Sequence, residues 1–344
     1  MNILITLDYE LFNGEDSGSV KNSLITPMQE LMKVLDKYNF KTTLFVDTVF
    51  LNRLNEMRQI HSELNYDWEL ITSQLKDLYK KGHELQLHLH PNWLHASYEN
   101  GSWSSVITDY KLSDMTEEEV DGMFRNGINI LNQITNGGEV VSFRAGAYCI
   151  QTYSNIQKMF IKYGIKIDSS VYRHHKSISE KLEYSDFTHI PKEYSYRFQS
   201  NVCMKEESGS FIEVSIPSFR ISKFRLIKSK LDRRKNKNEF STIGWGDGKS
   251  SIGTLDRKFV RIKKSLLTHI KPSRIVASID SSNSYFLNYI YKNEKKNAKD
   301  YMLIMGHPKS FTPYSLMYLD KFLNQLSKND KNITISFFAR KKEL

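Results

Sequence analysis

Short apolar runs alternate along the chain with stretches whose apolar residues recur every three or four positions. Residues 2–7, 42–46, 140–143, 165–167, 211–217, 302–305 and 333–338 are rich in β-branched and aliphatic side chains and predict buried strands. Residues 81–93 follow a period of two. Leu85, Leu87 and Leu89 alternate with Glu84, Gln86, His88 and His90, which predicts a strand with one leucine face and one polar face. Gly82 stands where the backbone turns left-handed after a helix. Pro91 ends the strand because it has no N–H to give a ladder.

Helical spacing fills the intervals. Thr26 and Pro27 predict a capped helix start, with Leu31, Val34, Leu35 and Tyr38 on one face. A helix is expected around 68–81. Thr116 and Glu119 form a capping box ahead of Val120, Phe124, Ile128 and Leu131. Further helices are expected near 153–163 and after Thr312 and Pro313, where Leu316, Leu319, Phe322 and Leu326 share a face. Residues 13–22 and 93–110 show no period and read as loops. Alternating strands and helices predict an α/β fold with parallel strands and crossover helices.

Ionisable residues recur where strands end. Asp8 and Glu10 close the first strand, His88 and His90 the third; Arg144, Asp168 and His307 follow three others. In α/β barrels the carboxyl ends of the strands gather on one face, where sites are built. Taken alone, His88 and His90 read first as a pair of metal ligands and second as two hydrogen-bonded histidines on a solvent-facing strand. Together with Glu10 they make a two-histidine, one-carboxylate set that leaves positions open on a divalent metal such as zinc. Asp8 can accept a proton from water, and Arg144 can hold Asp8 ionised. His307 can protonate a leaving group, and backbone N–H groups near Gly146 can face an oxyanion. These parts describe metal-assisted hydrolysis of an amide or ester.

Composition narrows the class. The 344 residues are 40% hydrophobic and 26% charged, which suits a globular chain with a sizeable core and not a disordered one. Cys149 and Cys203 are far apart and read as reduced packing residues. No apolar run reaches bilayer length, and the first residues carry neither a basic start nor a cleavage site, so a cytoplasmic location is expected. The net charge of +10 suggests anionic partners. Part of it lies in 220–237, where nine Lys and Arg residues face one acid, Asp232, and interleave with Ile221, Phe224, Ile227 and Leu231. A solvated charged loop is the plainer reading. The other is a basic amphipathic helix for an anionic membrane surface or a lipid-linked sugar carrier. Residues 241–253, around Trp245, read as a loop.

Five stretches, in order, resemble the motifs of NodB-type polysaccharide deacetylases, a carbohydrate esterase family 4-like group acting on N-acetyl sugars. They are TLDYE at 6–10, GHELQLHLHP at 82–91, FRAGAY at 143–148, IDSSV at 167–171 and LIMGHPKSF at 303–311. The resemblance implies a distorted (β/α)7 barrel formed by 1–344 as a single domain, with an insertion at about 218–255. It implies a divalent metal, Asp8 as base, His307 as acid and an N-acetylated glycan as substrate. The implied activity is removal of an acetyl group from a polysaccharide or its cytoplasmic precursor. Tyr148 and Trp93 are candidates to line the sugar site, or core-rim aromatics. Asp168, with Ser169 and Ser170, is a candidate substrate contact, or a turn former. His83 reads as a buttress at the strand start.

Two departures from the family pattern bear on the ligands. Tyr9 stands where a second aspartate is commonest, so Glu10 takes the ligand role by spacing. The commonest histidine spacing pairs His88 with Asn92. His90 is preferred because it shares a strand face with His88, and Asn92 stays open as an oxygen ligand. Two other functions remain open: a metal-independent relative acting on a small cyclic amide, and a non-catalytic relative binding glycan or nucleic acid. No nucleic acid is expected as a partner of the enzyme.

Overall fold

The computed structural model describes residues 1–14, 16–106, 108–178, 184–249 and 273–343. Among them, nine strands form one sheet: β1 (Asn2–Tyr9), β2 (Thr43–Asp47), β3 (Glu84–Leu89), β4 (Ser142–Ala145), β5 (Ile167–Asp168), β6 (Ser195–Phe198), β7 (Phe211–Val214), β8 (Tyr301–Gly306) and β9 (Lys331–Asn332). Their order is β6-β7-β5-β4-β3-β2-β1-β8, with β9 also on β1. Every pairing is parallel except β6 with β7. The crossovers are made by α1 (Thr26–Asp36), α2 (Thr48–Met57), α3 (Leu64–Lys80), α4 (Glu117–Thr135) and α5 (Ser154–Tyr163). Further on come α6 (Lys223–Asn236), α7 (Leu287–Lys296), α8 (Pro313–Leu323) and α9 (Ile335–Glu343).

The sheet curls into an open half-barrel. Its seam lies between β7 and β8. There the Tyr301 hydroxyl donates to the carbonyls of Tyr194 and Ser215, at 2.8 and 2.9 Å. Beyond β7 the chain enters an antiparallel ribbon, Ser218–Ile221 with Ser273–Val276. The ribbon delivers Ile279 N–H to Met305 O at 2.9 Å and Ala277 O to Met305 N–H at 3.0 Å, on the edge of β8 away from β1.

Alternation along each strand sorts the side chains. Ile3, Ile5 and Leu7 of β1 and Leu85, Leu87 and Leu89 of β3 point outward into the core shared with the helices. Leu4, Phe45, Ile167, Ile212, Val214, Leu303 and Met305 point inward and form an apolar floor. The inward positions nearer the carboxyl ends are charged. At the amino ends of β2, β3 and β4 the inward Thr43, Glu84, Gln86 and Ser142 satisfy one another, Thr43 O–H donating to Glu84 at 2.6 Å and Ser142 N–H to Gln86 Oε1 at 2.7 Å. The strand period decides which of these side chains face inward.

Several sequence expectations are corrected. Residues 333 and 334 are irregular and 335–338 form the start of α9, so no strand runs over 333–338. Ile335, Phe338 and Ala339 lie three and four apart and plug the bottom of the barrel. Thr26 is no cap, because the chain is already helical from Lys21 and α1 continues it. Helix α2 follows β2 without a break, so its apolar residues merge with the strand's in the sequence; Asp47 caps it by accepting from Phe50 N–H at 3.3 Å. Residues 97–104 carry a hairpin, Ser97–Glu99 with Ser102–Ser104. Of the basic stretch 220–237, Arg220 and Ile221 lie in the ribbon and Lys223–Asn236 form the helix α6, not a loop. The expected loop 241–253 and insertion 218–255 run past 249, outside the described residues. The capping boxes at Thr116 and Thr312 are present. His83 accepts the Thr42 N–H at Nδ1, 3.1 Å away, as a buttress would. Gly82 has φ +87°, the left-handed turn that its position requires.

Asp168 and Glu213 face each other across β5 and β7 on the outer side of the wall, both fully buried. Asp168 accepts from Ser170 O–H at 2.7 Å, and Glu213 Oε1 accepts from Val171 N–H at 3.3 Å. Glu213 Oε2 has no partner among the described residues unless it carries a proton and donates to Asp168. Burial first, then the neighbouring Asp168 carboxyl, raises the Glu213 pKa well above its ordinary value. A carboxyl raised on folding stabilises the fold below its unfolded value, about 4.3, and loses that contribution as pH rises through its folded value. Glu213→Gln keeps the donor without the titration. It is therefore expected to raise Tm by a few degrees at alkaline pH and by nothing near pH 4, in parallel melts of both proteins. An equal Tm at every pH means that the pair does not share a proton.

Candidate active site

The inward positions of β1 above the floor are Thr6, Asp8 and Glu10. The register between strands sets Asp47 beside His88 and His88 beside Arg144. Arg144 is fully buried and makes four hydrogen bonds. Its Nε donates to Ser169 O at 3.0 Å, and its NH1 to Asp8 Oδ1 at 2.5 Å. Its NH2 donates to Thr6 Oγ1 and Ser169 Oγ at 3.1 and 3.0 Å, and its guanidinium lies 4.2 Å over the Phe45 ring. A buried guanidinium with this many acceptors is a fixed counter-charge. Burial pushes the Asp8 carboxyl up, but Arg144, helped by His307 and His88, holds it far below the ordinary carboxylate range.

Glu10, His88 and His90 converge, all buried, with one ligand atom of each within 4.8 Å of the others. His88 Nδ1 lies 2.7 Å from Arg144 O. A carbonyl only accepts, so Nδ1 carries a hydrogen, and Nε2, 3.2 Å from Glu10 Oε2, is the ring nitrogen placed to serve as a ligand. His90 Nε2 abuts the same oxygen and has no hydrogen-bond partner among the described residues. Its Nδ1 lies 3.1 Å from the Asn13 amide. Asp47 is buried beside the two histidines, and its Oδ2 likewise has no hydrogen-bond partner among the described residues. Two imidazole nitrogens and a carboxylate, with orphaned atoms and a second shell that fixes one tautomer, fit a divalent ion.

His307 stands across from this cluster, its Nε2 3.5 Å from Asp8 Oδ2 and 3.9 Å from Glu10 Oε1. Asp280 holds it twice, accepting from the His307 N–H at 2.8 Å and facing Nδ1 at 2.7 Å. Burial disfavours the imidazolium, but Asp280 and Asp8 outweigh it and push the pKa up to about 10. Lys309 donates to Glu10 Oε1 at 2.8 Å and to Leu11 O at 2.7 Å, so an ammonium already touches the cluster's carboxylate.

These groups line a cleft of about 390 Å³ together with Phe12, Asn13, Tyr110, Ala147, Tyr148 and Ser310. The turn Gly146–Tyr148 forms part of the rim, with Ala147 and Tyr148 at φ 45° and 64°. A Cβ at Gly146 would lie 2.7 Å from Leu89 O and 2.8 Å from His90 Nδ1, so only glycine lets this turn pass so close to the histidine.

Asp8, Glu10, His88, His90, Arg144, His307 and Tyr148, all named from the sequence, meet here. Three candidates do not. Trp93 is fully buried against Phe50 and Trp103. Asp168 lies on the outer side of the wall against Glu213. Asn92 is buried and does not line the cleft. Asn13, Asp47, Asp280 and Lys309 were not anticipated. Lys309 lay inside the final histidine motif, and Asp47 ends a predicted strand. Asp280 follows a short segment, 277–279, that no sequence period marks.

No family model matches the chain, and no curated protein does. Among solved structures, a probable polysaccharide deacetylase from Pseudomonas aeruginosa PAO1 matches at 10% identity and TM-score 0.51, over 98% of this chain and 89% of that one. PuuE allantoinase matches at 10% identity and TM-score 0.49, over 98% and 89%. The Xyl-CE4 domain of a multidomain xylanase from the hindgut metagenome of Trinervitermes trinervoides matches at 11% identity and TM-score 0.40, over 100% and 93%. The fold is that of the NodB-type deacetylases. Among the described residues, no helix is long and apolar enough to cross a membrane.

Proposed function

We propose that the protein is a metal-dependent hydrolase that removes the acetyl group from an N-acetylated sugar of a polysaccharide or its precursor. The observation that carries this reading is the opposition of Asp8 and His307 across one cleft, above the Glu10, His88 and His90 cluster. Two titratable groups in one site are pushed in opposite directions, which is how acid and base are told apart. Zinc suits the donor set, and the bound ion supplies Lewis acidity in this chemistry.

The chain's own residues do the rest. Water adds to the acetyl carbon and gives its proton to Asp8 at Oδ2, because Oδ1 is held by Arg144. The C–N bond breaks as His307 Nε2 delivers its proton to the amine nitrogen, leaving acetate and a free amine. Asp280 keeps His307 protonated and aimed. Tyr148 and Tyr110 offer ring faces to a sugar.

A second reading has one contact in its favour. The Lys309 ammonium on Glu10 can replace a metal's charge, which suits metal-free hydrolysis of a small cyclic amide. Acetate release from chito-oligosaccharides by chelator-stripped and zinc-reloaded protein separates the two. Release that needs added metal supports the deacetylase. No acetate from any N-acetylated sugar, with metal-free opening of a cyclic ureide, overturns it.

A further inference from the structure

Helix α6 is mounted rigidly and presents an apolar stripe to solvent. Its inner side is fixed by Leu226 against the core, by buried Ser229, and by Asp232, which accepts from the hydroxyls of Tyr314 and Tyr318 at 2.8 and 2.5 Å. Arg225 lies 3.8 Å over the Tyr289 ring. The helix's one acid is therefore turned inward.

Phe224, Ile227 and Leu231 lie three and four apart on the opposite side, and are 76%, 56% and 57% exposed. At 3.6 residues per turn, Lys228 and Lys235 flank this stripe on one side, and Lys223, Lys230 and Arg234 on the other. Ile243, in the following loop, is 80% exposed. That loop is tied to the cleft: Trp245 N–H donates to Phe311 O at 3.3 Å, and a Cβ at Gly246 would strike Lys309 O and Phe12.

We propose that the outer face of α6 docks the protein onto an anionic lipid bilayer. Phe224, Ile227 and Leu231 enter the headgroup boundary, and the flanking lysines and arginine meet lipid phosphates. Five cations bordering a stripe of three large apolar side chains are complementary to such a surface. A nucleic acid would satisfy the cations but has no place for the stripe, because its outer surface is phosphate and sugar. The proposal is independent of the reaction catalysed.

The test is co-sedimentation of the full chain with vesicles of phosphatidylcholine alone or mixed with phosphatidylglycerol, beside duplex DNA as competitor. Binding is expected to the mixed vesicles only and to weaken with salt. The triple variant Phe224→Ser, Ile227→Ser, Leu231→Ser should bind at least about a hundredfold more weakly at an unchanged Tm, since it loses three buried apolar side chains. Lys228→Gln with Lys230→Gln should cost roughly fivefold per charge. As a second readout, the tryptophan of Phe224→Trp should be quenched by brominated lipid beyond the wild-type level. Absence of vesicle binding, full binding by the triple variant, or tighter binding to DNA than to vesicles overturns the proposal.

Discussion

A His88→Ala protein is expected to hold no stoichiometric divalent ion and to lose at least about 10³-fold in turnover while remaining folded. Loss of Lewis acidity removes several kcal/mol of transition-state stabilisation, which sets that scale. The substitution also strips Arg144 O of its partner, at a cost of about 1–3 kcal/mol, which a core of this size should survive. Metal analysis after dialysis against zinc, with a melt alongside, checks both halves. Lys309→Met should move the other way. It takes an ammonium off Glu10 Oε1, so zinc affinity should rise by about tenfold or more, given the strength of such a partly buried pair. His90→Ala should resemble His88→Ala, whereas Asn92→Ala should keep the metal, because Asn92 lies off the cleft. Full metal occupancy in His88→Ala would show that the ligand set is misassigned.

The site was more legible than the frame that holds it, and the reason is geometric. A strand's period of two is a strict rule, so the placement of Asp8, Glu10, His88 and His90 on one face followed from their spacing. The same rule, applied to 165–168, puts Asp168 on the face opposite its inward neighbours Ile167 and Ser169, so it was never aimed at the cleft. Trp93 was ambiguous because an aromatic after a strand end has no period to orient it. Helices failed where apolar runs touched: α2 follows β2 directly, and α9 packs only three inward residues, too few for its period to stand out. Asp280 was invisible for a different reason. Its partner lies 27 residues away in the sequence, and only the barrel's closure brings segment 277–279 against β8. Long-range pairs of this kind are set by topology and leave no local trace.

Asp8→Asn and His307→Ala should each lower turnover by roughly 10²–10⁴-fold, the usual worth of positioned proton transfer, with zinc content unchanged. Neither side chain belongs to the Glu10, His88 and His90 set, so metal retention distinguishes a proton-transfer role from a ligand role. Asp8→Asn keeps an oxygen for Arg144 NH1 but leaves the guanidinium without its counter-charge. A lowered Tm is therefore expected of it and not of His307→Ala, since the latter residue lies at the cleft rim. Asp280→Asn tests how His307 is held. It keeps an acceptor for the His307 N–H but no longer balances an imidazolium, so kcat should fall while KM stays near the wild-type value. Rates would be measured as acetate release from a chito-oligosaccharide by zinc-loaded protein. Should Asp8→Asn or His307→Ala release acetate at the wild-type rate, the acid–base pairing across the cleft is wrong. The Lys309-based, metal-free reading would then be the one to pursue.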